Sequence, residues 1–231
     1  MLDTSKGRSY TSRMVAKSLV SGQPQTPHRA GRRQAILEAG TELFAERGFA
    51  GVSIQEIADE AQTHKTTVLY HFGTKEALYT EVLDEALGRI AAVMTDFLAA
   101  GLADDRLRER VGYLLDQIHS HYAEHPAHAR LLERELLEVQ SPHAYLAHFV
   151  DRIYQPAVAG LRLASKQGII RPVDPALFIH DVHVLLVSYF CHRPLLEALK
   201  PGDPFSVEAL IARRNHVLDL IFALLRPSEL V

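Results

Sequence analysis

Between Ser53 and Phe72 the chain reads SIQEIADEAQTHKTTVLYHF, and within its last nine residues stand His64, Lys65, Thr66, Thr67, Tyr70 and His71. One ammonium, three hydroxyls and two imidazoles in so short a run are suited to hydrogen bonding with phosphate oxygens and base edges. Such groups act only if a rigid element aims them. Ser53 and Glu56 form an S-x-x-E capping box, in which hydroxyl and carboxylate satisfy orphan backbone donors and fix a helix start. Ile54, Ile57, Ala58 and Ala61 then recur at three- and four-residue spacing, giving this helix one apolar stripe. A turn at Gln62 and Thr63 leads to a second short helix, whose buried positions are predicted to be Val68, Leu69 and Phe72. Geometry aims the first turn of that second helix at a major groove, so Lys65 and Thr66, with His64 and Gln55 nearby, are the base-edge candidates.

The run TTVLYHFGTKEAL, following a short capped helix, resembles the T-x-L-Y-x-H-F-x-(S/T)-K-E-x-L hallmark of TetR-type transcriptional regulators. The likeness extends upstream through AGRRQAILEAGTELFAERGFAGVS and covers about residues 30 to 90. It departs from the usual pattern at Gln62, where a turn glycine is common, at Thr66, where a small residue or glycine is frequent, and at Leu69, where tyrosine is frequent. The resemblance implies that Thr67, Tyr70, His71 and Lys75 hold the DNA backbone, and Ser53 is a further phosphate candidate at its helix start. It also implies an all-α fold, with an N-terminal helix-turn-helix head joined to a larger helical ligand-binding and dimerisation domain.

Charge supports this division. The formal net charge of −3 is unusual for a chain that must approach a polyanion. However, residues 1–33 hold Lys6, Arg8, Arg13, Lys17, Arg29, Arg32 and Arg33 against Asp3 alone, so +6 is concentrated beside the reading helices and −9 is left for the remainder. Arg32 and Arg33 are therefore further DNA-binding candidates. Residues 1–28, rich in polar residues and without apolar periodicity, read as a basic disordered leader that either contacts phosphate or only solubilises. The expected boundaries are a leader at 1–28, a DNA-binding head at 29–75 and a body at 76–231.

The rest reads as helix. A first helix is predicted from Gly31 to Arg47, burying Ile36, Leu37, Leu43 and Phe44 and stopping at Gly48. Thr74 is the expected N-cap of a long helix burying Leu78, Val82, Leu83, Leu87 and Ile90, which joins head to body. Beyond Gly101 the expected helices are Asp104 to Glu124, Pro126 to Gln140, Pro142 to Gln167, Pro175 to Leu199 and Phe205 to Leu225, punctuated by proline, glycine and aspartate. The segment from Pro175 is apolar almost all round and must be buried on more than one side. In the family it resembles, the last two helices form a four-helix dimer interface with their mates, and a two-fold pair is what reads a palindrome.

The resemblance makes the body an effector-binding domain for a small molecule. Polar groups on otherwise apolar helices are its pocket candidates: Tyr113, Gln117, His121, Tyr122, Glu135, Phe149, Arg152, Tyr154 and His183. The 13 histidines raise the alternative of a transition-metal-responsive regulator, with His180 and His183 one turn apart. No compact ligand set has a recognised spacing, so no metal and no cofactor is expected. A metal-dependent helical enzyme is the remaining alternative, but no nucleophile elbow, H-E-x-x-H helix, P-loop or dinucleotide fingerprint occurs. A single cysteine, Cys191, and the lack of any long apolar run fit a cytoplasmic protein without a membrane span. The expected partners are a double-stranded DNA operator, a second copy of the chain and an unidentified effector.

Overall fold

A computed structural model of the protein describes residues 29–101, 106–137 and 150–225. The basic leader at 1–28 and the pocket candidate Phe149 lie outside the described residues. Among those described every regular element is helical. The head consists of α1 (Arg29–Arg47), α2 (Ile54–Glu60) and α3 (Lys65–Phe72). The long α4 (Lys75–Ala99) leads into α5 (Leu107–Glu124) and α6 (Pro126–Leu137). A π-helical turn (Val150–Tyr154) runs into α7 (Gln155–Lys166), and α8 (Pro175–His183) continues through a second π-helical turn (Val184–Ser188) into α9 (Tyr189–Cys191). The short α10 (Arg193–Leu199) and α11 (Val207–Leu225) complete the described chain.

Isolated helices of seven and eight residues are unstable in water, so α2 and α3 depend on packing. Ile36 and Phe44 of α1, Ile57 of α2, Val68 of α3 and Leu78 of α4 are fully shut from solvent. Each such side chain contributes about 1.5–3 kcal/mol on burial, against about 1 kcal/mol for a helix cap, so packing outweighs capping in holding the head together. Phe44 meets the Tyr79 ring edge-on at 4.9 Å, which ties α1 to α4. The first helix ends at Gly48, whose φ of 71° is the left-handed conformation expected of a helix-ending glycine. Leu43 is only partly buried.

Leu69 was expected in this core and is instead 37 % exposed. Val68 and Phe72 are four residues apart and share the buried face of α3. One residue further along, Leu69 is turned about 100° away by the 3.6-residue period, onto the outer flank.

Thr74 caps α4 as anticipated, its hydroxyl accepting the Ala77 N–H at 3.1 Å. The predicted stripe Leu78, Val82, Leu83, Leu87 and Ile90 is buried, with Tyr79, Ala86 and Ala91 beside it. In the body, α6 packs on both α1 and α4, and α11 lies along α5. Arg214 of α11 reaches Asp116 of α5 at 3.2 Å, and Arg108 pairs with Asp219. The Arg214 guanidinium lies against Gly112, in the space that a Cβ there would take.

The expected single helix from Pro175 to Leu199 is broken. A rod over Pro175–Cys191 ends at His192, and α10 leaves it at 84°. Pro194 is the cause: it has no N–H for the Phe190 carbonyl and its ring would strike that carbonyl. Within one chain the rod is covered on one side only, since Leu177 is 65 % exposed and Val184 also faces solvent. On α11, Val207 and Ile211 are exposed one turn apart, and Leu220 and Leu224 are exposed one turn apart on the opposite side of the helix. Among the described residues no single helix is long and apolar enough to cross a membrane.

Candidate DNA-reading surface and effector core

The α2–α3 pair is built from local hydrogen bonds. Ser53 Oγ accepts the Glu56 N–H at 3.2 Å, and the Ser53 N–H donates to Glu56 Oε2 at 2.8 Å, which completes the capping box. Arg47 at the end of α1 donates to Glu56 Oε1 at 2.7 Å. The hydrogen bonds from the Ser53 side chain and backbone, then from Arg47, hold the Glu56 carboxyl down at about 2. Ser53 is thus engaged as a cap, and Gln55 donates to Asp59 at 2.7 Å, one turn on.

The turn between the two helices is a Schellman motif. The Thr63 N–H donates to the Ala58 carbonyl at 2.8 Å and the Gln62 N–H to the Asp59 carbonyl at 3.1 Å. This closure requires a left-handed residue, and Gln62 supplies it at φ 50°, the one non-glycine with positive φ among the described residues. The turn geometry that glycine usually provides is therefore kept, at the cost of side-chain strain.

The extended His64 (φ −100°, ψ 147°) then starts α3 without a side-chain cap. His64, Lys65, Thr66, Leu69 and Tyr70 are exposed along its outer face, Thr67 and His71 are half-buried, and Val68 and Phe72 face inward. Tyr70 is 67 % exposed, its ring set edge-on to His71 at 5.3 Å. Lys75 lies at the head's edge with its ammonium 4.3 Å from the centre of the Phe49 ring. Arg33 pairs with Glu81 and lies over the Phe72 ring at 5.1 Å while remaining exposed, as Arg32 is. The fold therefore gathers His64, Lys65, Thr66 and Tyr70 along the exposed side of α3, while Gln55 and Arg33, also at the surface, are engaged with Asp59 and Glu81. Leu69 joins that face as an apolar group of the kind that meets a thymine methyl. Its position one step past the buried Val68 was the signal for this.

Residues 36–82 match the model of the bacterial regulatory proteins of the tetR family. The HTH-type transcriptional regulator Mb3439c of Mycobacterium bovis is 33 % identical over 188 residues, which span 66 % of this chain and 98 % of that protein. This chain belongs to the TetR family of transcriptional regulators. The HTH-type transcriptional repressor SCO4008 of Streptomyces coelicolor is 31 % identical over 155 residues, 66 % of this chain and 73 % of that one. A solved TetR family regulator from Marinobacter aquaeolei has the same fold, with a TM-score of 0.62 at 19 % identity, covering 85 % of this chain and 96 % of its own.

In the TetR-family body, α6 stands between head and interior. Toward α1 it sends Arg130 to Glu42 at 3.1 Å and Arg134 to the Glu46 carbonyl at 2.8 Å. Toward α4 it buries Glu135, which accepts the Tyr79 hydroxyl at 2.6 Å. Toward the interior it presents Glu133, which accepts the Ser188 hydroxyl at 2.7 Å and lies 3.6 Å from His183 Nε2. His183 Nδ1 in turn meets the Tyr154 hydroxyl at 2.6 Å. Tyr154 and Ser188 belong to the two π-helical turns and His183 directly precedes the second, so both irregular turns converge on one polar cluster, in which His183 Nε2 faces Glu133 beyond hydrogen-bond distance. Such turns are rare and recur at functional sites. The His183 ring and the Ser188 hydroxyl hold the Glu133 carboxyl below its usual range, whereas burial pushes the Tyr154 and Tyr122 phenols up and the Cys191 thiol up to about 12.

Of the effector candidates, Tyr122, Tyr154 and His183 are brought into one region, together with Glu133, Ser188 and Cys191, which sequence reasoning missed as members. Serine and glutamate on amphipathic helices carry no mark of which face is interior. His121 instead bonds through Nε2 to the Ala86 carbonyl of α4 at 3.2 Å and to His128 Nδ1 at 3.1 Å. Glu135 belongs to the α4–α6 junction, and Gln117 is half-buried on α5. Tyr113 is exposed on the wall of a separate cleft of about 450 Å³ between the end of α4 and the start of α5. The Arg152 side chain lies outside the described residues. His180 is exposed beside Asp181 while His183 points inward, so the two do not share a site. Among the described residues no group of three or more His, Cys, Asp or Glu is arranged to hold a metal ion.

Proposed function

We propose that the protein is a dimeric repressor that holds a palindromic operator through α3 and releases it when a small molecule binds in the body. The observation that carries this is the exposed row His64, Lys65, Thr66 and Tyr70, presented by a helix that follows the capped α2 through the Schellman turn and is held on its inner face by the head core. Lys65 and Thr66 read base edges. Thr67, Tyr70, His71 and Lys75 hold phosphates, with Ser53, Gln55, Arg32 and Arg33 at the periphery. Residues 29–75 act as the reading head and residues from 76 onward as the regulated body. A repressor designation carried by the 31 % identical relative favours this sign of regulation.

Dimerisation is supported by exposed apolar side chains on the last helices, Leu177 and Val184 on the α8–α9 rod and two pairs on α11, which a contact with a second copy would cover in part. The region around Tyr154, His183, Glu133 and Ser188 is where an effector binds. A shift there moves α6, which grips α1 through Arg130 and Arg134, and so changes the spacing of the paired reading helices. A preference of a few kcal/mol between two packings is enough for release. The protein acts by binding and not by turnover.

The test uses an operator selected from random DNA. Lys65→Ala with Thr66→Ala should lower discrimination between operator and random DNA by roughly tenfold to a hundredfold, measured by fluorescence anisotropy. Lys75→Ala should weaken all sequences alike and lower the salt slope by about 1. A double variant that discriminates as well as the parent would remove Lys65 and Thr66 from the base-reading role.

A further inference from the structure

Deeper in the body, His119 of α5 and Arg213 of α11 stand out for what they lack. His119 is 2 % exposed and leans toward the Leu115 carbonyl one turn earlier, yet neither ring nitrogen makes a hydrogen bond of good geometry. Arg213 is half-buried. Its Nη2 donates to the Leu185 carbonyl inside the second π-helical turn at 2.7 Å, its guanidinium lies over the Tyr189 ring at 4.7 Å, and its Nε is buried without a partner. No described carboxylate pairs with it. Acids of the same helices and loops are engaged elsewhere: Asp116 with Arg214 at 3.2 Å and Asp203 with Arg193 at 3.1 Å.

Orphaned donors on a cation withdrawn from water are costly unless an anion meets them. The strain appears in both groups: burial, then the Arg213 charge, pushes the His119 imidazole down to about 4, and burial also lowers Arg213. The walls are aromatic. The Phe190 ring is 5.8 Å from His119, 5.7 Å from Tyr122 and 5.2 Å from Phe205. A planar carboxylate offers one oxygen to the Arg213 Nε–H and one to the single N–H of the neutral His119 ring, in the tautomer that directs it at the ligand and away from the Leu115 carbonyl, while apolar rings suit the frame behind it and disfavour a dianion.

We propose that the effector is an organic carboxylate with an aromatic or apolar frame, its carboxylate held by Arg213 and His119 and its frame packed against Phe190 and Tyr122. This rests on the effector-regulated reading above, and it extends the effector region from the Tyr154–His183 chain to α11.

The probes are benzoate, neutral benzamide, cationic benzylamine and inorganic phosphate, each added to the full chain and followed by thermal shift and calorimetry. Benzoate alone should bind. Arg213→Gln should weaken it roughly tenfold to a hundredfold, His119→Phe by a smaller factor, and Arg213→Lys should retain part of the affinity. Circular dichroism of each variant separates lost binding from lost folding, and Arg213→Lys keeps the test open if Arg213→Gln fails to fold. Equal binding of benzamide or phosphate, unchanged benzoate binding in Arg213→Gln and Arg213→Lys, or no benzoate binding would overturn the proposal. So would a crystal structure in which a buried water or an acid of the partner subunit already occupies Arg213 and His119. Benzoate that binds through Arg213 yet leaves operator affinity unchanged would uphold the site and refute the effector-regulated reading, a distinction that anisotropy on operator DNA makes directly.

Discussion

The head satisfies its polar groups locally and at the surface, whereas the body buries them and satisfies them across long stretches of chain or not at all. In the head, Ser53 and Glu56 are three residues apart, Gln55 and Asp59 four, and the Schellman turn closes within five. In the body, Tyr79 and Glu135 are 56 residues apart and Ser188 and Glu133 55, while His119 and Arg213 keep orphaned nitrogens. A local exposed bond loses little when broken because water replaces it, whereas a buried one leaves its partner stranded. The head is therefore a rigid reader tolerant of single polar changes, and the body is where a ligand can alter the balance between packings.

This contrast can be broken. The largest expected effect is Tyr79→Phe, which removes the hydroxyl from the buried Glu135 and should cost about 1–3 kcal/mol in urea-induced unfolding. Ser53→Ala should cost about 1 kcal/mol. If Ser53→Ala proves the more damaging of the two, the local and buried bonds do not differ as described.

The capping box also has a pH signature. The Glu56 carboxyl titrates at about 2 in the folded chain against 4.5 ordinarily. Its contribution is therefore complete above about pH 4.5 and fades as pH falls toward 2. Following the Glu56 side chain by NMR should give the low value in the parent and a value nearer the ordinary one in Ser53→Ala. The smallest effect is Gln62→Gly, which relieves the left-handed backbone and should raise stability by up to about 1 kcal/mol, partly offset by the greater freedom of glycine in the unfolded chain. A loss of stability there would mean that the Gln62 side chain contributes more than its backbone strain costs.

Legibility in the sequence followed the same division. The capping box, the Gly48 stop, the Thr74 cap and the α4 stripe were all readable because each is set by residues within a turn or two of one another. Leu69 was misassigned because apolar character was given more weight than its angular position on α3. The break at His192 was missed because apolar periodicity continues across it, although Pro194 was the available signal. Lys75 and Arg33 could be singled out in the sequence as DNA-contact candidates, but not as partners of Phe49 and Glu81, which are distant in sequence.

By itself the sequence determined an all-helical TetR-like chain whose capped first short helix is followed, after a turn at Gln62 and Thr63, by a second short helix, because capping, turn closure and helical period are short-range effects. Only the tertiary structure decided which body residues meet. It set Tyr154 against His183, turned Glu133 toward the interior and Arg134 toward the end of α1 on the same helix, and left His119 and Arg213 among aromatic rings without an acid. Those outcomes depend on how α5, α6, the α8–α9 rod and α11 pack, and a helix face becomes interior only when another helix covers it.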